Sequence, residues 1–300
     1  MADLEAVQEL MTTHELASMG STETAPTIDE IRAGWTGPGF HMEQDAWVVE
    51  TDNGEIVAYI EARELQMAFV ESDGYVHPDY QGQGLGTLLL RLAEDRARSV
   101  RPTLQPGETR ALTGGISADN LAAVRLFESL NFRPVRYFLR EEIHFSEPPT
   151  APQWPPDVTV RTLRDTEDLA AVYAVVQEAF VDHWGERRPT LEEWTHRWNE
   201  TGLDPGLWFI AESGGKIAGV SLGRLRQGTG HVGTLGVLRP YRRSGLGLAL
   251  LRQSFAEFYR RGVTTVGLGV DAESLTGATR LYQRAGMHEA ARFAVYRKDL

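Results

Sequence analysis

Residues 235–248 read Leu235-Gly-Val-Leu-Arg-Pro-Tyr-Arg242-Arg-Ser-Gly245-Leu-Gly247-Leu, an apolar run, a proline and a glycine-rich turn that opens a long amphipathic helix. Their types and spacing suit the holding of a pyrophosphate. Gly245 and Gly247 let the backbone approach a ligand, and the next residues open a helix whose unpaired N–H groups and positive dipole end favour an anion. Arg242 and Arg243 add two cations. No third glycine completes a Gly-x-Gly-x-x-Gly interval and no Gly-Lys-Ser/Thr follows, so neither the dinucleotide fingerprint nor the P-loop is matched. Taken alone, a glycine-rich turn that merely opens a helix accounts for the pattern equally well.

The elements that must position this loop appear twice. Trp47, Gly54, Gln81, Gly84 and Gly86 recur 161 positions later as Trp208, Gly215, Arg242, Gly245 and Gly247, and upstream Thr27 pairs with Thr190 and Trp35 with Trp198. One unit is therefore written twice. Periodicity predicts the same order in both copies. Helices come first (Leu4–Met11 and Ile28–Trp35; Glu167–Phe180 and Leu191–Asn199), then a hairpin about Asp52-Asn-Gly54 or Ser213-Gly-Gly215. The strand before the loop follows (Met67–Val76; His231–Val237), then the loop helix (Gly84–Val100; Gly245–Arg261), a strand (Arg110–Ile116; Thr265–Val270), a short helix (Asn120–Leu130; Ser274–Arg284) and a terminal strand. That order is a mixed α/β fold. Val158–Leu163 reads as an opening strand whose counterpart in copy one would precede Met1. Glu147-Pro-Pro-Thr-Ala-Pro-Gln-Trp-Pro-Pro156 carries five prolines and no periodicity, and reads as a semi-rigid linker. The expected domains are 1–147 and 157–300, with 148–156 between them, in line with a length of 300 residues.

Composition narrows the chemistry. With no cysteine, disulfides, thiolate metal sites and an acyl-cysteine intermediate are excluded. The eight histidines include no His-x-x-x-His pair, so no metal is expected. A net charge of -12 argues against a nucleic-acid partner. Residues 1–147 hold 11 arginines and no lysine against 25 acidic residues, net -14, whereas 157–300 are net +2, the better host for a polyanion. No run of eighteen apolar residues occurs and the N-terminus is acidic, so neither a membrane span nor a signal peptide is expected and the location would be cytoplasmic.

The Arg-x-x-Gly-x-Gly pattern resembles the coenzyme A pyrophosphate loop of the GNAT superfamily of N-acetyltransferases. Arg280-Leu-Tyr282-Gln-Arg-Ala-Gly286-Met287 is similar to that superfamily's motif on the helix carrying a catalytic tyrosine. Copy one matches too, through Val76-His-Pro-Asp-Tyr-Gln81-Gly-Gln-Gly84-Leu-Gly86 and Asn120-Leu-Ala-Ala-Val-Arg-Leu-Phe127, but phenylalanine stands where the tyrosine belongs and Asn131 where glycine is usual. The layout is that of a tandem pair of GNAT-type acyl-CoA N-acyltransferase domains.

The resemblance implies direct transfer of acetyl from acetyl-CoA to an amine, with acetyl-CoA as co-substrate. It assigns proton donation to the departing thiolate to Tyr282, and donation to the thioester oxygen to backbone N–H groups of Leu235, Gly236 and Val237. CoA contacts fall to Arg242, Arg243, Ser244, Gly245, Leu246, Gly247, Leu248 and Ser274, which lies near the usual asparagine. In copy one they fall to Val76, Gln81, Gly82, Gln83, Gly84, Leu85, Gly86 and Asn120. Asp182 and His183 are candidates for the acceptor side, and His231 and Glu212 for the group that takes up the amine's proton. Each has an ordinary alternative: Tyr282 as a core aromatic, the arginines as solvated cations, Asp182 and His183 as loop residues. Trp194 and Trp198, at helical spacing, are expected in the core. Copy one, without a tyrosine, is expected not to catalyse. The acceptor would be a small-molecule or peptide amine, and two copies in one chain are compatible with a monomer. A non-catalytic acyl-CoA binding or sensor protein, or a transferase for another acyl-CoA, fits the same motifs.

Overall fold

A computed structural model of the chain describes residues 3–22, 25–65, 69–100, 109–164, 166–181, 183–184, 189–274 and 277–300. The chain forms two compact units, residues 1–137 with 293–300, and residues 138–292.

Unit 1 opens with helices α1 (Leu4–Met19), α2 (Ile28–Trp35) and the short α3 (Met42–Asp45). Strands β1 (Ala46–Glu50), β2 (Ile56–Leu65) and β3 (Phe69–Val76) follow as an antiparallel set. Helix α4 (Leu85–Ser99) crosses to β4 (Ala111–Ser117), which runs parallel to β3, and α5 (Leu121–Ser129) comes next. β2 is buried on both faces in strict alternation. Ala58, Ile60 and Ala62 pack under Leu89, Leu90, Ala93 and Ala97 of α4, while Tyr59 faces Val7, Leu10, Met11, Ile31 and Trp35 of α1 and α2.

Unit 2 repeats the plan with one more strand among the described residues. β6 (Val158–Thr162) precedes α6 (Thr166–Ala179), α7 (Leu191–Glu200), the antiparallel β7 (Trp208–Ser213), β8 (Lys216–Arg226) and β9 (Thr229–Val237), then α8 (Leu246–Arg260), β10 (Thr265–Asp271) and α9 (Ala278–Ala285). β6 pairs with β7, so the opening strand read from Val158–Leu163 is present. In unit 1 the first described element is α1, the counterpart of α6. Trp194 and Trp198 are buried against Trp208, with ring centroids 5.5 and 4.8 Å away, as core residues.

Local signals are also written twice. Thr27 and Thr190 each open a helix with a reciprocal capping box: Glu30 N donates to Thr27 Oγ1 at 3.2 Å and Thr27 N to Glu30 Oε2 at 2.9 Å, with Glu193 repeating the pattern on Thr190. Some boundaries differ from periodicity. α1 runs eight residues past Met11 to close on Gly20, whose left-handed backbone (φ 69°) ends the helix. α9 starts at Ala278 rather than Ser274 because Gly277 caps it. The first residues of the strand expected from Met67 lie outside the described residues.

The terminal strands do not stay with their own copies. β5 (Arg133–His144) leaves unit 1 after Tyr137, and its residues Phe138–His144 pair antiparallel with β10 of unit 2. β11 (His288–Asp299) leaves unit 2 after Arg292, and Phe293–Asp299 pair antiparallel with β4 of unit 1. The last strand of each copy therefore pairs within the other unit. The sequence division at 147/157 and the spatial division differ in this one respect.

Candidate active site

The loop between β9 and α8 is held from behind. Arg242 Nε donates to Val237 O at 2.9 Å, and an Nη donates to Ala179 O, a last-turn carbonyl of α6, at 2.9 Å. The guanidinium thus satisfies a helix-end carbonyl that the helix itself leaves open. The side chain expected at the phosphate is engaged in holding the loop. Arg243, exposed and with no side-chain hydrogen bond or ion pair among the described residues, is the cation left facing outward. It adopts a left-handed backbone (φ 64°), as does Gly245 (φ 91°), and these two inversions wrap the loop back to start α8. Ser244 Oγ donates to Tyr241 O at 2.7 Å.

α2 and α7 carry side-chain caps, whereas α8 begins on Gly245 without one; Leu246 N donates to Ser244 Oγ at 3.4 Å, and the N–H groups of Gly247 and Leu248 have no side-chain partner among the described residues. Gly247 serves packing more than ligand approach: a Cβ there would come within 2.9 Å of Leu281 Cδ1 on α9. Its absence brings the loop helix and the tyrosine helix together.

β9 and β10 run parallel but pair only at Gly230–Val266 and His231–Gly267. A register shift opposite Leu222/Gly223 marks a bulge in the β8–β9 pair, which bends β9 at that point. Beyond His231 the two strands diverge. Leu235, Gly236 and Val237 stay paired to β8 on one side only, so alternate N–H groups of this stretch face the opening.

Tyr282 lies on α9, is 7% exposed, and its hydroxyl has no hydrogen-bond partner among the described residues. Burial, and then the carboxylate of Glu141 on β5, push its pKa up to about 12. The phenol therefore stays protonated across the neutral range. Glu141 is itself raised above the usual carboxylate value, by burial and then by Glu289, with His288 opposing.

His183 is half-buried, its ring 5.5 Å from Phe180 and 6.4 Å from Phe138, and Trp184 lies 6.3 Å from Phe138. Phe138 reaches this group on β5, which no reading of copy two alone could have supplied. Asp182 lies outside the described residues. Ser274 stands three residues before the cap of α9, its N–H donating to Asp271 O at 3.0 Å. Glu212 is taken up in an ion pair, accepting from Arg161 Nε at 2.8 Å, which counts against its use as a base. His231 stands at the last paired position before the divergence. No group of three or more His, Asp or Glu side chains that could hold a metal occurs among the described residues.

Unit 1 has the same loop with different side chains. Gly82 (φ 76°) and Gly84 (φ 88°) repeat the two inversions, and Leu85 and Gly86 open α4 without a side-chain cap. Gln81 replaces Arg242, Gln83 Nε2 donates to Asp79 O at 3.5 Å, and Val76 O accepts from His14 Nδ1 at 3.0 Å. Asn120 caps α5, its Oδ1 accepting from Ala123 N at 3.0 Å. Phe127 is buried at the tyrosine's place, its ring 5.5 Å from Tyr296 and so close over Gly114 that a Cβ there would meet it at 2.8 Å.

On β3, Asp73 accepts from Tyr75 Oη at 3.1 Å. Asp73 is exposed as a residue, yet desolvation of its carboxyl, then Glu61 and more weakly Glu71 and Glu15, push its pKa up to about 7 against the lowering effect of the Tyr75 hydrogen bond. The folded carboxyl holds its proton to near pH 7, whereas the unfolded one loses it near 3.8. The stability that Asp73 contributes is thus complete in acid and lost as the pH rises through 7. Asp73→Asn should melt at a higher temperature than the parent at pH 8.5, with the advantage gone by about pH 4. Equal melting temperatures at pH 8.5 would contradict this assignment.

No helix among the described residues is long and apolar enough to cross a membrane. Comparison with known proteins agrees with this geometry. The family model described as Acetyltransferase (GNAT) family matches twice, over residues 8–132 and 169–287. A mycothiol acetyltransferase of Thermobispora bispora is 31% identical over 231 residues, 74% of this chain and 74% of its own length. One of Streptomyces bingchenggensis is 32% identical over 263 residues, 84% and 79% of the two chains. The crystal structure of a GCN5-related N-acetyltransferase from Sphaerobacter thermophilus superposes with a TM-score of 0.81 at 36% identity, covering 99% of this chain and 93% of that one. A tandem GNAT protein from the clavulanic acid biosynthesis pathway shares the fold, with a TM-score of 0.76 at 16% identity over 99% and 95% of the chains. The chain belongs to the GNAT family of acetyltransferases, with the family's unit present twice in one polypeptide.

Proposed function

We propose that this acetyltransferase moves acetyl from acetyl-CoA directly to a small-molecule amine, and that unit 2 performs the transfer. The observation that carries the reading is Tyr282, a buried residue whose protonated hydroxyl has no hydrogen-bond partner among the described residues, on the helix that Gly247 holds against the loop helix. The N–H groups at the start of α8 and the outward-facing Arg243 would hold the CoA pyrophosphate, with Arg242 fixing the loop. N–H groups of Leu235–Val237 would receive the thioester oxygen as charge builds on it. The amine nitrogen bonds to the acetyl carbon, the C–S bond breaks, and the Tyr282 proton passes to the thiolate. The amine's proton leaves to a group at the divergence of β9 and β10, where His231 stands. His183 and Asp182 would lie on the acceptor side, and Ser274 near the CoA. Unit 1, with Phe127 in place of the tyrosine, has no proton to give by this route.

The test is CoA thiol release with acetyl-CoA and a panel of primary amines, aminoglycosides and peptides, with succinyl-CoA as the rival donor. Relatives named as mycothiol acetyltransferases put mycothiol and its unacetylated form first in that panel. No acetyl product with any amine, beside turnover with succinyl-CoA, would replace the donor in this reading.

The loop assignment has its own test. Reversing one charge within about 4 Å of a phosphate in water costs about 2 kcal/mol, so Arg243→Glu should weaken acetyl-CoA binding by tenfold or more in calorimetry. In unit 1 the loop lacks the arginines and 1–147 is net -14, so Gln83→Glu should leave the tighter of the measured affinities unchanged. Equal losses from the two variants would mean that unit 1 binds the donor as well as unit 2.

A further inference from the structure

Glu141 sits on β5 opposite Leu268 of β10, is 2% exposed, and its Oε2 is buried without a hydrogen-bond partner among the described residues. A buried carboxylate oxygen left unpaired costs stability, and an apolar side chain of similar size would remove that cost. The fold does not require the charge. β11 has the same pattern of buried and exposed positions as β5, and its matching residue is Tyr296, opposite Gly114. In unit 1 the Tyr296 ring packs edge-on against Phe127. Unit 2 replaces both members of this aromatic pair with polar ones: Glu141, whose Oε2 is buried without a partner among the described residues, and Tyr282, close enough for the carboxylate's charge to act on the phenol. The paired replacement, at a cost in stability and only in the unit with a tyrosine, points to chemistry.

We propose that Glu141 is a positioning residue for Tyr282: its carboxylate turns the phenol O–H and keeps it on the oxygen until the sulfur departs. Because β5 belongs to the sequence of copy one, the first half of the chain supplies part of the catalytic apparatus of the second. The inference rests on Tyr282 being the proton donor.

The experiment uses the full-length chain and four variants, Glu141→Leu, Glu141→Gln, Tyr282→Phe and Glu141→Leu with Tyr282→Phe. Thiol release from acetyl-CoA is measured with hydroxylamine as a small acceptor and with the fastest amine of the panel, alongside acetyl-CoA affinity and melting temperature. Glu141→Leu should melt above the parent, bind acetyl-CoA within twofold, and turn over about tenfold or more slowly, the scale expected of a misplaced catalytic group. Glu141→Gln, which keeps a hydrogen-bonding oxygen, should recover part of the rate. The double variant should be no slower than Tyr282→Phe alone, because the two residues act as one unit. A lower melting temperature for Glu141→Leu makes the residue structural and overturns the inference, as does a rate within twofold of the parent or an additive loss in the double variant. If Tyr282→Phe itself keeps its rate, the donor assignment falls; if it loses the rate while both Glu141 variants keep theirs, only the role of Glu141 falls.

Discussion

Tyr282→Phe is expected to lower kcat by 10² to 10⁴, roughly what loss of a positioned general acid costs, while acetyl-CoA affinity and melting temperature stay near those of the parent. The hydroxyl makes no hydrogen bond among the described residues, so its removal breaks none. The phosphate contacts are assigned to Arg243 through Leu248, on another helix, so binding has no reason to change. Phe127→Tyr is the control. The Phe127 ring already meets Gly114, Phe132 and Tyr296, and an added hydroxyl in that packing should confer no rate on unit 1. The measurement is steady-state thiol release at saturating acetyl-CoA. Should Tyr282→Phe keep more than about a third of kcat, a loss too small for a general acid, another group protonates the thiolate.

The second large effect concerns integrity. Residues 1–147 expressed alone should show no cooperative melting transition, and neither should 157–300, while the two fragments produced together should recover one. Without Phe293–Leu300, unit 1 loses a seven-residue ladder along β4, the buried Ala294 and Tyr296, the Lys298–Glu94 ion pair at 2.7 Å and Arg297 over the Phe69 ring. Burying one large side chain is worth about 1.5–3 kcal/mol, and a whole domain is stable by about 5–15. The fragment could fold its own β5 back onto β4, but Glu141 would then occupy the place of Tyr296, a carboxylate against Phe127. Glu141→Tyr within fragment 1–147 should for that reason restore a transition. An unaltered 1–147 fragment melting within about 5 °C of the full chain would show that the exchanged strand contributes little; by the usual size scaling that shift is on the order of 1 kcal/mol.

Much of this architecture is legible in the residues. The doubled Thr-x-x-Glu boxes, the Asn-Gly and Gly-Gly turns and the loop glycines are local signals that the backbone obeys locally. The tyrosine helix and the strand that diverges from its neighbour follow from the resemblance those signals support. What was not legible depends on partners distant in sequence. Arg242 looks like a phosphate ligand until the end of α6, 63 residues earlier, supplies a carbonyl to it. Gly247 looks like a site glycine until Leu281 is seen beside it. Glu141 reads as one charge in a polar run, because nothing nearby in sequence says which sheet receives β5. With identical alternation on β5 and β11, either strand suits either edge, and the choice rests on whether Tyr296 or Glu141 meets Phe127.

Exchange of the last strands also fixes an order in time. β4 is complete once Ser117 has been made, but its partner runs from Phe293 to Asp299. A ribosome adding about 5–20 residues per second needs roughly ten seconds or more to cover the interval. Through that time the first unit waits with an open strand edge and the Phe127 ring uncovered, and it closes only after Phe293–Asp299 has been made.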